Sequence, residues 1–110
     1  MDYHLMAMSD LPSNTQGSNG GRSFYQKVTL SSGTESDAYV LPMGISSLGC
    51  TLSGDGAIEF TISPISEISD DTAVWEEWDG LSQVNNSVTA FRVTRSTGTV
   101  VAQVKAKTWE

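Results

Sequence analysis

Apolar and polar residues alternate along most of this chain, and the alternation has the period of strands rather than helices. In residues 24–30, Phe24, Gln26, Val28 and Leu30 fall on one side and Tyr25, Lys27 and Thr29 on the other, which predicts a first strand with one half-buried face. Ala38, Tyr39, Val40 and Leu41 predict a short second strand that stops at Pro42, because a proline nitrogen has no hydrogen to give to a ladder. Residues 45–52 form a weaker strand interrupted at Gly49, where a bulge is expected. The run Ser53-Gly54-Asp55-Gly56 reads as a tight turn into residues 57–62, with Ile58, Phe60 and Ile62 facing in and Glu59 and Thr61 facing out.

The clearest pattern lies near the end of the chain. Phe91 and Val93 alternate with Arg92 and Thr94, and Val100, Ala102, Val104 and Ala106 alternate with Val101, Gln103, Lys105 and Lys107. With Arg95-Ser96-Thr97-Gly98 between the two runs, residues 88–107 read as a β-hairpin that reverses at Gly98. A hairpin cannot bury its own apolar face, so the earlier strands must supply the opposite wall. Six or seven short strands over residues 24–107, with no amphipathic helix, predict an all-β fold. A single small β-sandwich, jelly-roll-like or immunoglobulin-like, fits this pattern, and so does a small barrel. Trp75 and Trp78 lie three apart, so they would point to opposite faces on a strand and share one face on a helical turn. Trp109 is expected to close one edge of the fold.

Residues 1–22 differ in character from the rest of the chain. A short apolar patch, Leu5-Met6-Ala7-Met8, and Leu11-Pro12 precede a low-complexity stretch of Ser, Asn, Gly, Thr and Gln. Two readings fit: a loose terminus, or an arm that lies on a neighbouring subunit with Tyr3, Leu5, Met6, Met8 and Leu11 as its anchors. Either way the sandwich domain is expected to occupy residues 23–110.

Charge and composition then narrow the function. The net charge is −7, and between Val28 and Phe91 there is no Lys or Arg against ten carboxylates from Glu35 to Asp79. Six scattered basic residues do not make a phosphate-binding footprint, so nucleic acid is not an expected partner. No apolar run approaches the roughly 18 residues that span a bilayer, and the start carries no basic region ahead of an apolar one, so neither membrane insertion nor export is expected. The lone Cys50 can form no internal disulfide, and with the lone His4 it assembles no metal site. Cys50 reads as a small buried residue.

Candidate chemistry is thin. Nucleophilic catalysis needs a base held beside the nucleophile, and the only imidazole, His4, lies in the terminal segment. Asp70, Asp71, Glu76, Glu77 and Asp79 gather beside Trp75 and Trp78, a composition open to a solvated acidic loop, a calcium site, a sugar platform on either tryptophan, or a two-carboxylate hydrolase. Asn85-Asn86-Ser87 matches a glycosylation sequon, which has no role in a chain that is not exported. No cofactor is expected.

The run Thr72-Ala73-Val74-Trp75, with Trp78 and Gly80, then Val88-Thr89-Ala90-Phe91-Arg92-Val93 and Thr97-Gly98-Thr99-Val100, resembles the C-terminal part of small structural proteins of tailed-bacteriophage virions. The resemblance covers about a third of the chain, from Thr72 to Lys107. It implies a non-enzymatic virion protein assembled in the host cytoplasm: a head decoration (cement) protein, a head-fibre base or a tail component. It also implies a trimer of β-sandwich subunits whose arms clamp their neighbours, with the major capsid protein or another virion protein as partner. The second face of the predicted hairpin, with Val88, Ala90, Arg92, Val101 and Gln103, is less polar than a free surface strand and is the expected subunit contact. That hairpin also holds four of the six basic residues, complementary to the acidic run from Asp70 to Asp79 on another copy. The alternatives from other classes are a carbohydrate-binding module on Trp75 or Trp78 and a small hydrolase.

Overall fold

A computed structural model of the chain describes residues 5–10, 22–79 and 88–108. The fold is all-β, as the alternation predicts, and its strands belong to one open sheet. In chain order they are β1 (Leu5–Ala7), β2 (Ser9–Asp10), β3 (Ser23–Leu30), β4 (Ala38–Val40), β5 (Ile45–Thr61), the short helix α1 (Ile65–Ser69), β6 (Trp75–Glu77) and β7 (Ala90–Thr108). The expected arrangement of many short strands gives way here to two long ones. β5 and β7 run antiparallel and pair with each other almost end to end, from Ile45 opposite Thr108 to Thr61 opposite Ala90.

The expected hairpin over residues 88–107 is therefore corrected, and so is the turn at residues 53–56. Neither glycine signal reverses the chain. Instead the two signals lie opposite each other and bend one continuous ribbon: between the pairs Ser53–Val101 and Asp55–Thr97, Gly54 alone faces Gly98, Thr99 and Val100. Extra residues on one strand bend it and increase its twist. Gly54 adopts φ +96°, and a Cβ there would run into the Thr99 carbonyl oxygen and the Val100 Cα. A Cβ on Gly56 would meet the Thr94 carbonyl oxygen and the Val100 side chain. The bend thus depends on two positions where the backbones approach more closely than any side chain allows. Gly49, where a bulge was expected, pairs regularly with Lys105.

The bend divides the sheet into two halves. In one, β3 extends the ribbon by pairing with residues 100–107 of β7, from Ser23–Lys107 to Leu30–Val100. In the other, β4 adds to β7 beside Ala90 and Phe91, and β6 adds to β5 beside residues 59–61. Val28, Val100, Ala102, Val104 and Ala106 from the β3 half and Ile58, Phe60, Phe91 and Val93 from the β4 half form a single buried cluster. Six of these side chains are wholly inaccessible, although α1, through Ile68, belongs to a different cluster. Among the described residues only the sheet folding over itself covers them, which makes the architecture sandwich-like while the strands stay continuous. Each Val, Ile or Phe so buried contributes about 1.5 to 3 kcal/mol of transfer free energy.

Residues 5–10 correct the expected domain boundary at residue 23. β1 pairs in parallel with β4, and β2 pairs antiparallel with β3, so this segment ties the two halves together. Met8, between them, is buried in the main cluster, and its amide N–H donates to the Val40 carbonyl at 3.4 Å. Trp75 lies in β6 and Trp78 one residue beyond its end, and they do point to opposite sides: Trp75 packs with Ala38, Ile68 and Ala90, and Trp78 packs against the main cluster. The helix α1 was not expected. It starts after Pro64 and buries Ile68. Trp109 and the sequon at Asn85 lie outside the described residues.

The bend is testable at its glycines. Gly98→Ala, at φ +67° with open space around it, should cost about 1 to 2 kcal/mol from the left-handed backbone alone. Gly54→Ala adds the backbone clash and should cost about 1 to 3 kcal/mol more in urea unfolding. Equal costs would show that the ribbon does not bend there.

Candidate functional site

The bent ribbon distributes the expected contact residues over two different surfaces. Val88, Ala90 and Arg92 belong to the β4 half and Val101 and Gln103 to the β3 half, so these five residues do not share a face. Ala90 is wholly buried with Ala38 and Ile68, and Val88 packs against the main cluster. Of the expected arm anchors, Leu5 packs with the Ala38–Ile68 cluster, Met8 is core, and Met6 remains exposed at 41%. Tyr3 and Leu11 lie outside the described residues.

Arg92 is the hub of the outer face of the β4 half. Glu59 stands opposite it in the β5–β7 ladder, and the Arg92 Nε donates to Glu59 Oε1 at 2.6 Å. The Arg92 Nη1 reaches Glu35 Oε2, also at 2.6 Å, from the segment that enters β4. The guanidinium then lies 4.5 Å from the centre of the Trp75 ring. Trp75 and Arg92, 17 residues apart in sequence, therefore meet in space. Stacking over an aromatic face while two carboxylates take the donors is an arrangement the planar guanidinium suits and an ammonium would not. Burial raises the Glu59 carboxyl above its ordinary value, and the carboxylates of Glu35 and Glu77 push the same way. Arg92 at 2.6 Å pulls against them.

Trp78 lines a shallow recess of about 520 Å³ with Cys50, Leu52, Ala57, Glu77 and Asp79. Cys50 is half-buried, and burial pushes its thiol up to about 11, so it is a poor nucleophile at neutral pH. α1 and the turn at Asp71 end before β6 begins, and among the described residues no three His, Cys, Asp or Glu side chains come together as metal ligands.

The outer face of the β3 half is different in kind. Across β3, β7 and β5 the ladder sets Ser23, Lys107 and Ser47 in one row, then Tyr25, Lys105 and Gly49, then Lys27, Gln103 and Thr51, then Thr29, Val101 and Ser53. No carboxylate occurs in these four rows, in a chain that carries thirteen. The Lys105 ammonium sits 5.9 Å from the Tyr25 ring, and none of the three lysines forms an ion pair among the described residues. This face was not foreseen, because Lys27 is far from Lys105 and Lys107 in sequence and only the β3–β7 register unites them. The two arginines expected to share the basic surface are elsewhere: Arg92 is held by Glu35 and Glu59, and Arg95 donates to the carbonyls of Gly33 and Gly98.

No family model, no curated protein and no solved structure matches this chain.

Removing the hub should leave Glu35 and Glu59 without their shared cation. A carboxyl whose folded value is raised binds more protons folded than unfolded, so it favours the fold most below its ordinary value of 4.5 and loses that contribution as pH rises through the raised value. Arg92→Met should therefore cost about 1 to 3 kcal/mol at pH 7 and distinctly less near the ordinary carboxyl value, measured by urea unfolding at both. A penalty that does not change with pH would show that the charges are not coupled.

Proposed function

We propose that this chain is a non-enzymatic structural protein of a tailed-bacteriophage virion, of the head-decoration or cement kind. The observation that carries the reading is the β1 edge of the sheet. Met6 in β1 is 41% exposed, and Met43, in the turn after β4, is 94% exposed, on a half of the molecule otherwise rich in carboxylates. Met6 lies on the β1 edge, and Met43 follows β4, the strand with which β1 pairs. Methionine is flexible and polarisable, and it suits a contact surface that must adapt to a repeating shell. The polar groups of the body also hold the protein together rather than set up a reaction. Arg92 ties Glu35 and Glu59, and Cys50 is masked by its raised thiol value.

A carbohydrate-binding module is less well supported. Arg92 lies over the Trp75 ring, which also packs against the Ala38–Ile68–Ala90 cluster, so the face under Arg92 is not open to a sugar. Trp78 keeps a recess but is itself packed on the core. Deleting the segment before β3 would remove Met8 from the core, so a surface substitution tests attachment more cleanly than a truncation.

The chain should be detected by mass spectrometry in density-purified virions, and Met43→Asp with Met6→Asp should abolish binding to empty shells while leaving the β-sheet circular dichroism unchanged. Purified virions that lack the protein would overturn the reading.

A further inference from the structure

Two surfaces of this molecule take no part in the core or in the Arg92 hub, and they match each other. The first is the lysine face of the β3 half. Along a strand, residues two apart lie about 6.7 Å from each other and adjacent strands about 4.8 Å, so Lys105 lies within about one Debye length, roughly 8 Å, of both Lys107 and Lys27 and repels each of them. A surface built this way is most stable when an anionic partner covers it. The second surface surrounds Ser63. The buried Ser63 hydroxyl accepts the Val74 amide N–H at 3.1 Å, which draws the start of β6 beside the end of β5. Ile62 and Val74 are thereby held next to each other, both 69% exposed, with Ile65 at 47% just beyond Pro64. Glu76, two residues beyond Val74, shares its side of the strand and is exposed, and Glu67 is exposed on α1, the next element after Ile62. An apolar patch rimmed by charge is the usual form of a protein contact.

We propose that copies of this chain dock head to tail, the Ile62–Ile65–Val74 patch of one seating on the Tyr25 and lysine face of the next. Glu67 and Glu76 supply the charges that Lys27, Lys105 and Lys107 lack among the described residues. A second copy is the occupant because one contact satisfies both surfaces at once. The chain's own net charge of −7 repels polyanions at long range, and they would cover only the lysine face. The two surfaces differ, so the contact is heterologous and either closes into a ring or runs on as a filament. It does not depend on where the protein works.

The test is light scattering of the full chain at about 100 μM, in about 50 mM and about 500 mM salt. At low salt the mass should be a multiple of 11.8 kDa, and self-association should weaken at least about tenfold at high salt. Lys27→Glu with Lys105→Glu, and separately Glu67→Lys with Glu76→Lys, should each be monomeric, and an equimolar mixture of the two should assemble again. Val74→Asp, placed outside the ribbon, should weaken assembly without any charge reversal on the lysine face. A wild-type monomer at low salt, an oligomer that survives both reversals, or folded reversed variants that fail to assemble when mixed would each overturn the proposal.

Discussion

The rest of the molecule depends on the backbone ladder between β5 and β7. It carries the register from Ile45–Thr108 to Thr61–Ala90, and every other strand of the main body adds to one edge of it or the other. A ribbon of this length cannot bury a face by itself. It does so by bending at Gly54 and Gly56, which turns Phe91, Val93, Val100, Ala102 and Val104 toward one shared core. The segment from β1 to β2 then bridges the edges of both halves, with Met8 in the core between them.

Much of this is legible from alternation. Ile58, Phe60 and the inward residues of both halves of β7 follow from it, because a period of two is a local property of the chain. The pattern fails at the end of β5, where Ile62, expected to face in, is exposed and Thr61, expected to face out, is buried. Pairing is not local, and there the pattern misleads. Gly54 with Gly56 and Gly98 each permit either a reversal or a bend, and only the facing strand decides between them. The same limit hides the lysine face, since Lys27 meets Lys105 and Lys107 only through register. It also hides the role of Arg92, whose partners Glu35 and Glu59 come from two other segments. α1 escapes notice because five residues are too few for a helical period to show; its signals are Pro64 just before it, Ile65 and Ile68 three apart, and Glu67 in the first turn. Residues 5–10 look separate only because a low-complexity stretch comes after them.

Charge is sorted by the same bend. Arg22, Lys27, Lys105 and Lys107 go with the β3 half, while Glu59, Glu67, Glu76 and Glu77 go with the β4 half, where Arg92 is already engaged. Among the described side chains, charge is therefore polarised in space. Polarity of this kind orients encounters and sets which surfaces can meet, more than it sets the strength of a contact. It is the physical link between this fold and a protein whose proposed work is contact with other proteins.

The central claim is that β7 pairs with β5 along both of its arms and does not fold back on itself. Backbone nuclear Overhauser contacts measure this directly. They should connect Arg92 with Glu59 and Val101 with Ser53, on either side of the bend. Backbone contacts joining Arg92 to Val101, the pairing of a hairpin closed at Gly98, would contradict it.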